Sequence, residues 1–123
     1  MERGTMTIKG KGIVINAPHN EIWMTQHELA DLFQCFVAKV NANVRSILKN
    51  RLLDENRVCW TYKYENGNSV EQYNLEMIIA LSFRIRSYNA DAFREWLVKK
   101  ATAETSVRQI LICSDWNQNA ILN

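Results

Sequence analysis

Thr25-Gln26-His27-Glu28-Leu29-Ala30-Asp31-Leu32-Phe33-Gln34-Cys35-Phe36-Val37 is the stretch on which the reading of this chain turns. Thr25 and Glu28 have the S/T-x-x-E spacing of a capping box, in which the hydroxyl and the carboxylate each accept a backbone N–H of a helix start. Leu29, Ala30, Leu32 and Phe33 follow at helical spacing, so a first helix is expected over roughly Gln26 to Gln34. After a break near Gln34-Cys35-Phe36, apolar positions resume at Val37, Val40, Val44, Ile47 and Leu48. At 100° per residue these fall within one arc of about 100°, which predicts a second, amphipathic helix over about Phe36 to Asn50. Its opposite face carries Lys39, Ala42, Ser46 and Lys49, flanked by Asn43 and Arg45. The adjacent Leu29-Ala30 pair suits a close approach of the two helices, because Ala is small. Two positions depart from a strict helix-turn-helix: Gln34 stands where such turns commonly carry Gly, and Phe36 where Ser or Thr would cap the second helix.

Downstream, Arg57 to Tyr64 is rich in Val, Trp, Thr and Tyr, and Glu65-Asn66-Gly67-Asn68 brings the Asn-Gly hairpin signal before Val70, Gln72 and Tyr73. Trp60, Tyr62 and Tyr64 alternate with Thr61 and Lys63, the period of a half-buried ribbon, with the aromatics expected on the core side. Asn74 is expected to cap an apolar helix over Leu75 to Ile85. Ser87 or Asn89 then caps another, with Phe93, Trp96 and Leu97 inward and Arg94, Lys99 and Lys100 outward. Beyond Thr102 the pattern weakens, and Val107 to Ile112 fits either a helix or a strand. Upstream, Gly12 to Ile15 and Glu21 to Met24 flank Asn16-Ala17-Pro18-His19-Asn20, which reads as a β-hairpin.

At 123 residues and 14.3 kDa the chain has the length of one domain, residues 1–123, with a core large enough to need no staples. Within it, residues 22–50 form a strand and helix pair, 57–73 a hairpin, 74–101 the core and C-terminal helices, and 102–123 a tail. The 47% hydrophobic and 23% charged residues exclude disorder, and the four Gly and single Pro exclude collagen-like or linker material. Cys35, Cys59 and Cys113 are odd in number and widely spaced, which points to reduced thiols in the cytoplasm and away from a disulfide scaffold or a zinc site. No leader pattern and no run of about 20 apolar residues is expected to target or span a membrane. His19 and His27 lie in no nucleophile or base motif, and the glycines make no phosphate loop. No catalysis, cofactor, metal or small-molecule substrate is therefore expected.

The net charge of +2 makes no global electrostatic argument, so any such argument is local. Between Phe36 and Leu53 stand Lys39, Arg45, Lys49 and Arg51 and no acid, a local charge of +4. Helix, short turn, helix, hairpin, helix is the order of a winged helix-turn-helix, an α+β fold with an N-terminal β-hairpin, an Asn-Gly wing and two further helices. A helix about 10–12 Å across fits the major groove of B-DNA. Double-stranded DNA is thus the expected partner. Ala42, Asn43 and Ser46 are expected at base edges, and Lys39, Arg45, Lys49, Arg51 and Lys63 at phosphates. Glu65 and two Asn make the wing tip a poor phosphate contact, while Lys63 and Arg57 lie on its flank. Arg84, Arg86, Arg94, Lys99 and Lys100 form a second basic group that reads as a solvated face. Ile110 to Trp116 with Ile121 and Leu122 are a candidate homodimer contact. The competing expectation is a protein-interaction or antirepressor-like adaptor that never touches DNA.

Four blocks resemble the RhuM virulence-protein family, in the family's order and across about residues 22–101. They are Ile22 to Phe33, Val44-Arg45-Ser46-Ile47-Leu48-Lys49 with Leu53-Asp54-Glu55, Tyr73-Asn74-Leu75-Glu76-Met77-Ile78-Ile79-Ala80-Leu81, and Phe93-Arg94-Glu95-Trp96. The Tyr-Asn-Leu block followed by Phe-Arg-x-Trp is the more specific part. The resemblance implies a DNA-binding, transcription-regulator-like protein of bacterial mobile elements, akin to phage antirepressor N-terminal domains. Typical members are much longer, so any activity of their C-terminal part is not expected here. Ala38, Asn41 and Asn43 depart from the family's second-helix face, so no sequence preference carries over.

Overall fold

The capping box closes as its spacing predicts: Thr25 Oγ1 accepts the Glu28 N–H at 3.2 Å, and the Glu28 carboxylate accepts the Thr25 N–H at 2.9 Å. These bonds start helix α1, Gln26–Phe33, and a three-residue turn leads to α2, Val37–Lys49. The computed structural model describes residues 3–10, 12–16 and 21–116, with side chains as far as Ala103. Among these residues, two small antiparallel sheets and three further helices stand around the helix pair in an α+β arrangement.

One sheet is a hairpin of β1, Thr5–Lys9, and β2, Gly12–Asn16, with Lys9 opposite Gly12. This corrects the expected pairing of Gly12 to Ile15 with Glu21 to Met24. The overlooked signal is Thr5-Met6-Thr7-Ile8, which alternates at the strand period, followed by Gly10, whose φ of 61° makes the tight reversal. Strand β3, Trp23–Thr25, belongs to the other sheet, whose order is β3-β5-β4. Strand β4 is Cys59–Lys63 and β5 is Ser69–Asn74, joined through Gly67 at φ 90°. Met24, Tyr73 and Cys59 stand side by side across this sheet and share its core face. Arg57 and Val58, expected to open the strand, instead lie in a single turn, α3, Glu55–Val58, capped by Asp54.

Register also overturns the expected burial of the hairpin aromatics. Since Cys59 and Tyr73 face inward, Trp60, Tyr62 and Tyr64 face outward, and they remain 45%, 37% and 51% exposed. Trp60 meets Trp23 edge-on at 6.1 Å, and Tyr62 meets Tyr64 at 5.1 Å.

Asn74 Oδ1 accepts the Met77 N–H and starts α4, Leu75–Ser82, which buries Met77, Ile78 and Leu81 against α2 and α5. Ser87, rather than Asn89, caps α5, accepting the Ala90 N–H at 3.0 Å, while the Asn89 amide donates to the Leu32 carbonyl. Helix α5, Tyr88–Trp116, settles the weak pattern beyond Thr102 as a helical continuation. Side chains beyond Ala103, and residues 117–123, lie outside the described residues, and the expected contact of Ile110 to Trp116 with Ile121 and Leu122 falls there. Among the described residues no helix is long and apolar enough to cross a membrane.

The core runs between the helix pair, α4 and α5. Leu29 and Phe33 of α1 meet Val40, Val44 and Ile47 of α2, and Phe33 stacks edge-on against Phe93 of α5 at 5.8 Å. Arg94 is not the outward residue expected. It bonds the Ser82 carbonyl at the end of α4 and the Ile85 carbonyl in the connection beyond it, and pairs with Asp91, so it ties α5 to the end of α4.

Candidate functional site

Helix α2 is held by one face. Val40 and Ile47 are wholly buried and Val44 nearly so, while Ala38, Lys39, Ala42, Arg45 and Lys49 are exposed on the remaining arc. The turn that orients it is specific. Gln34 sits at φ 54°, ψ 56°, and the Cys35 and Gln34 N–H groups bond back to the Ala30 and Asp31 carbonyls. Phe36 stands at the N-cap with no side-chain bond and is 85% exposed, and the first turn of α2 carries no acid. The far end repeats the same closure. Arg51 takes φ 55°, and the Leu52 and Arg51 N–H groups bond the Ile47 and Leu48 carbonyls.

The expected contact residues fall as follows. Ala42 is exposed near the middle of the outer face. Asn43 is half-buried at its edge, and one of its two amide N–H groups is already donated to the Lys39 carbonyl at 2.9 Å, leaving the second N–H and Oδ1 without a side-chain partner among the described residues. Ser46 is also half-buried, and its hydroxyl oxygen receives the Arg84 guanidinium at 3.2 Å and the Asn50 amide at 3.4 Å. Lys39, Arg45, Lys49 and Arg51 are exposed, and among the described residues no carboxylate pairs with any of them. Lys63 is exposed on β4 opposite Ser69, on the sheet face away from Trp60 and Tyr62. Arg57 is engaged by Glu76 at 2.6 Å.

The second basic group does not form one face. Arg94 clips α4, Lys99 pairs with Glu95 at 3.2 Å, and Lys100 lies 6.0 Å over the Trp96 ring. Arg84 and Arg86 go elsewhere, to the side of α2. With Lys39 they line a groove of about 410 Å³ that also includes Gln34, Cys35, Phe36 and Ile85. Sequence reasoning missed this grouping. The arginines stand 45 and 47 positions beyond Lys39, and only the packing of α4 on α2 joins them.

A polar chain connects α2 to the hairpin. Gln26 donates to Asn41 Oδ1 at 3.4 Å and to the Tyr73 hydroxyl at 3.1 Å, and that hydroxyl donates to Glu71 at 2.8 Å. Burial lifts the Tyr73 phenol above its ordinary range; the Gln26 donor opposes this and the Glu71 carboxylate adds to it. Burial, then the nearby Glu71 and Glu55 carboxylates, push the Cys59 thiol up to about 11. Burial likewise raises the Cys35 thiol. Thiols held neutral in this way behave as small packing groups rather than nucleophiles. Among the described residues no group of metal-ligating side chains forms.

Compared with protein-family profiles, with curated proteins and with solved structures, the chain finds no match.

Proposed function

We propose that this chain is a small winged helix-turn-helix that binds double-stranded DNA without catalysis, with α2 in the major groove and β4–β5 as the wing. The observation that carries the reading is the state of the cations. Those on α2 are exposed opposite its buried seam and, among the described residues, free of carboxylates, whereas Arg3, Arg57, Arg94 and Lys99 are each bonded to one. Free surface cations on a rigidly seated helix suit phosphates, which reward charge without requiring sequence. The chain order also fits, since β3 precedes the helix pair and returns to pair beside the hairpin. The resemblance to the RhuM family agrees in sense, suggesting a regulator associated with mobile elements. A two-fold dimer would set half-sites one helical turn, about 34 Å, apart.

In this reading Lys39, Arg45, Lys49 and Arg51 hold phosphates, Lys63 adds a contact from the wing, and Ala42, Asn43 and Ser46 meet base edges. Titration of duplex DNA across a salt series should give a log–log slope of about −3.6 per protomer for the four phosphates held by Lys39, Arg45, Lys49 and Arg51, steeper by about 0.9 where Lys63 neutralises a fifth. Lys49→Ala should weaken binding to all sequences alike, and Asn43→Ala should flatten preference at one position of a selected site. Unchanged affinity after replacing Lys39, Arg45 and Lys49 together would overturn the reading.

The exposed aromatic face of Trp60, Tyr62 and Tyr64 favours a second reading, an antirepressor-like adaptor that docks a protein. Weak, salt-insensitive DNA binding together with co-purification of a partner would select it.

A further inference from the structure

The groove between the start of α2 and the α4–α5 turn brings three cations together. Among the described residues its charged lining is Lys39, Arg84 and Arg86, and no acid contributes to it. Asp31, at the end of α1, lines a neighbouring hollow with Gln34, Cys35 and Phe36, but not this one. Among the described residues none of the three cations is paired with a carboxylate. Arg84 is also half-buried and fixed, since one guanidinium nitrogen donates to Ser46 Oγ at 3.2 Å. Three like charges brought together from positions remote in sequence repel one another, and an anion seated between them removes that repulsion. A planar guanidinium held in place and a second one beside it match the geometry of phosphate oxygens.

We infer that this groove is a phosphate-binding site, with Arg84 as its fixed anchor, Arg86 and Lys39 as its mobile arms, and a phosphate diester or monoester as its ligand. Resting on the DNA reading, it extends the interface beyond α2: a backbone phosphate seated there runs the strand past the turn and onto the α4–α5 connection. The same chemistry would equally hold the phosphate of a small ligand, and the test separates the two sources.

Arg86→Gln is the primary variant, because Arg86 is exposed and its loss leaves the Ser46 anchor intact. Arg84→Gln/Arg86→Gln is the stronger one, with unfolding curves reporting its integrity, and Lys49→Gln serves as a control outside the groove. If the groove seats a DNA phosphate, Arg86→Gln lowers duplex affinity several-fold and makes the salt slope shallower by about 0.9. If Lys49→Gln weakens binding while Arg86→Gln leaves affinity and slope unchanged, the groove is overturned as a DNA contact and the DNA reading stands. The second probe is inorganic phosphate, titrated against the wild type at constant ionic strength with backbone amide shifts as readout. Saturable shifts at Lys39, Arg84 and Arg86, lost in Arg86→Gln, with no duplex binding, support a phosphate-bearing small ligand while the DNA reading fails. No groove shift with phosphate and no effect of Arg86→Gln on duplex binding overturn the inference.

Discussion

Gln34 occupies a backbone conformation that suits glycine, φ 54° and ψ 56°, and its side chain returns one bond, to the Asp31 carbonyl at 2.7 Å on an exposed surface. The left-handed region costs an L-residue roughly 1–2 kcal/mol, and the greater freedom of an unfolded glycine takes back part of what a replacement would gain. Gln34→Gly should therefore raise unfolding stability by about 0.5–1 kcal/mol, read as a higher urea midpoint at unchanged slope. A lowered midpoint would mean that the Gln34–Asp31 bond outweighs the backbone term. The departure from the turn pattern at this residue was visible in the sequence, yet the turn forms. Its conformation is imposed by the packing of Leu29 and Phe33 against α2, which outweighs a local preference of this size. Phe36 is a like case: α2 starts there without a side-chain cap, because helix stability comes from the seam of Val40, Val44 and Ile47.

At the scale of elements, the chain Asn41–Gln26–Tyr73–Glu71 joins α2, α1 and β5 through the hydroxyl of Tyr73, a residue only 1% exposed. Tyr73→Phe keeps the ring and its packing but removes the oxygen that serves Gln26 and the hydroxyl that serves Glu71. A loss of about 1–2 kcal/mol is expected in chemical denaturation, because a half-buried amide is left one partner short. Amide exchange should rise most in β5 and at the start of α1 rather than in α5. Uniform acceleration would instead mean that the phenol stabilises the whole fold and not this junction. The helix boundaries were readable because their signals are local: a capping box at Thr25, an Asn cap at Asn74, and apolar residues at period 3.6. Strand pairing was less readable. Trp60, Tyr62 and Tyr64 have the alternation of a half-buried ribbon, but alternation alone does not say which set of residues meets the core. That choice depends on Met24 and Cys59 flanking Tyr73, three residues from three separate strands.

Over the whole molecule, Arg3 binds the N-terminal segment to the helix pair. It forks onto the Glu28 carboxylate at 2.5 and 2.9 Å and donates to the Trp23 carbonyl at 2.9 Å. Burial raises the Glu28 pKa, but Arg3 and the Thr25 N–H outweigh it and hold the carboxyl below its ordinary range. The unfolded chain therefore takes up a proton at Glu28 before the folded one does, so acid favours unfolding. The pair's stabilisation is present at neutral pH and is lost as pH falls through the carboxylate range, about pH 5 to 3. Wild-type stability should fall more steeply over that window than that of Glu28→Gln, by about 1 kcal/mol or less given the pair's partial exposure. Parallel curves for the two proteins would show that the ion pair contributes nothing to the fold.

The local rules of helix capping and periodicity were enough to set out α1, α2, α4 and the start of α5, and to mark the basic face of α2, because each depends on neighbours a few residues away. Tertiary structure alone decided that β3 joins the β4–β5 sheet, that the hairpin aromatics face solvent, and that Arg84 and Arg86 come to stand beside Lys39. Those outcomes are settled by which apolar surfaces bury one another across tens of residues, a competition among whole faces that no short window of sequence contains.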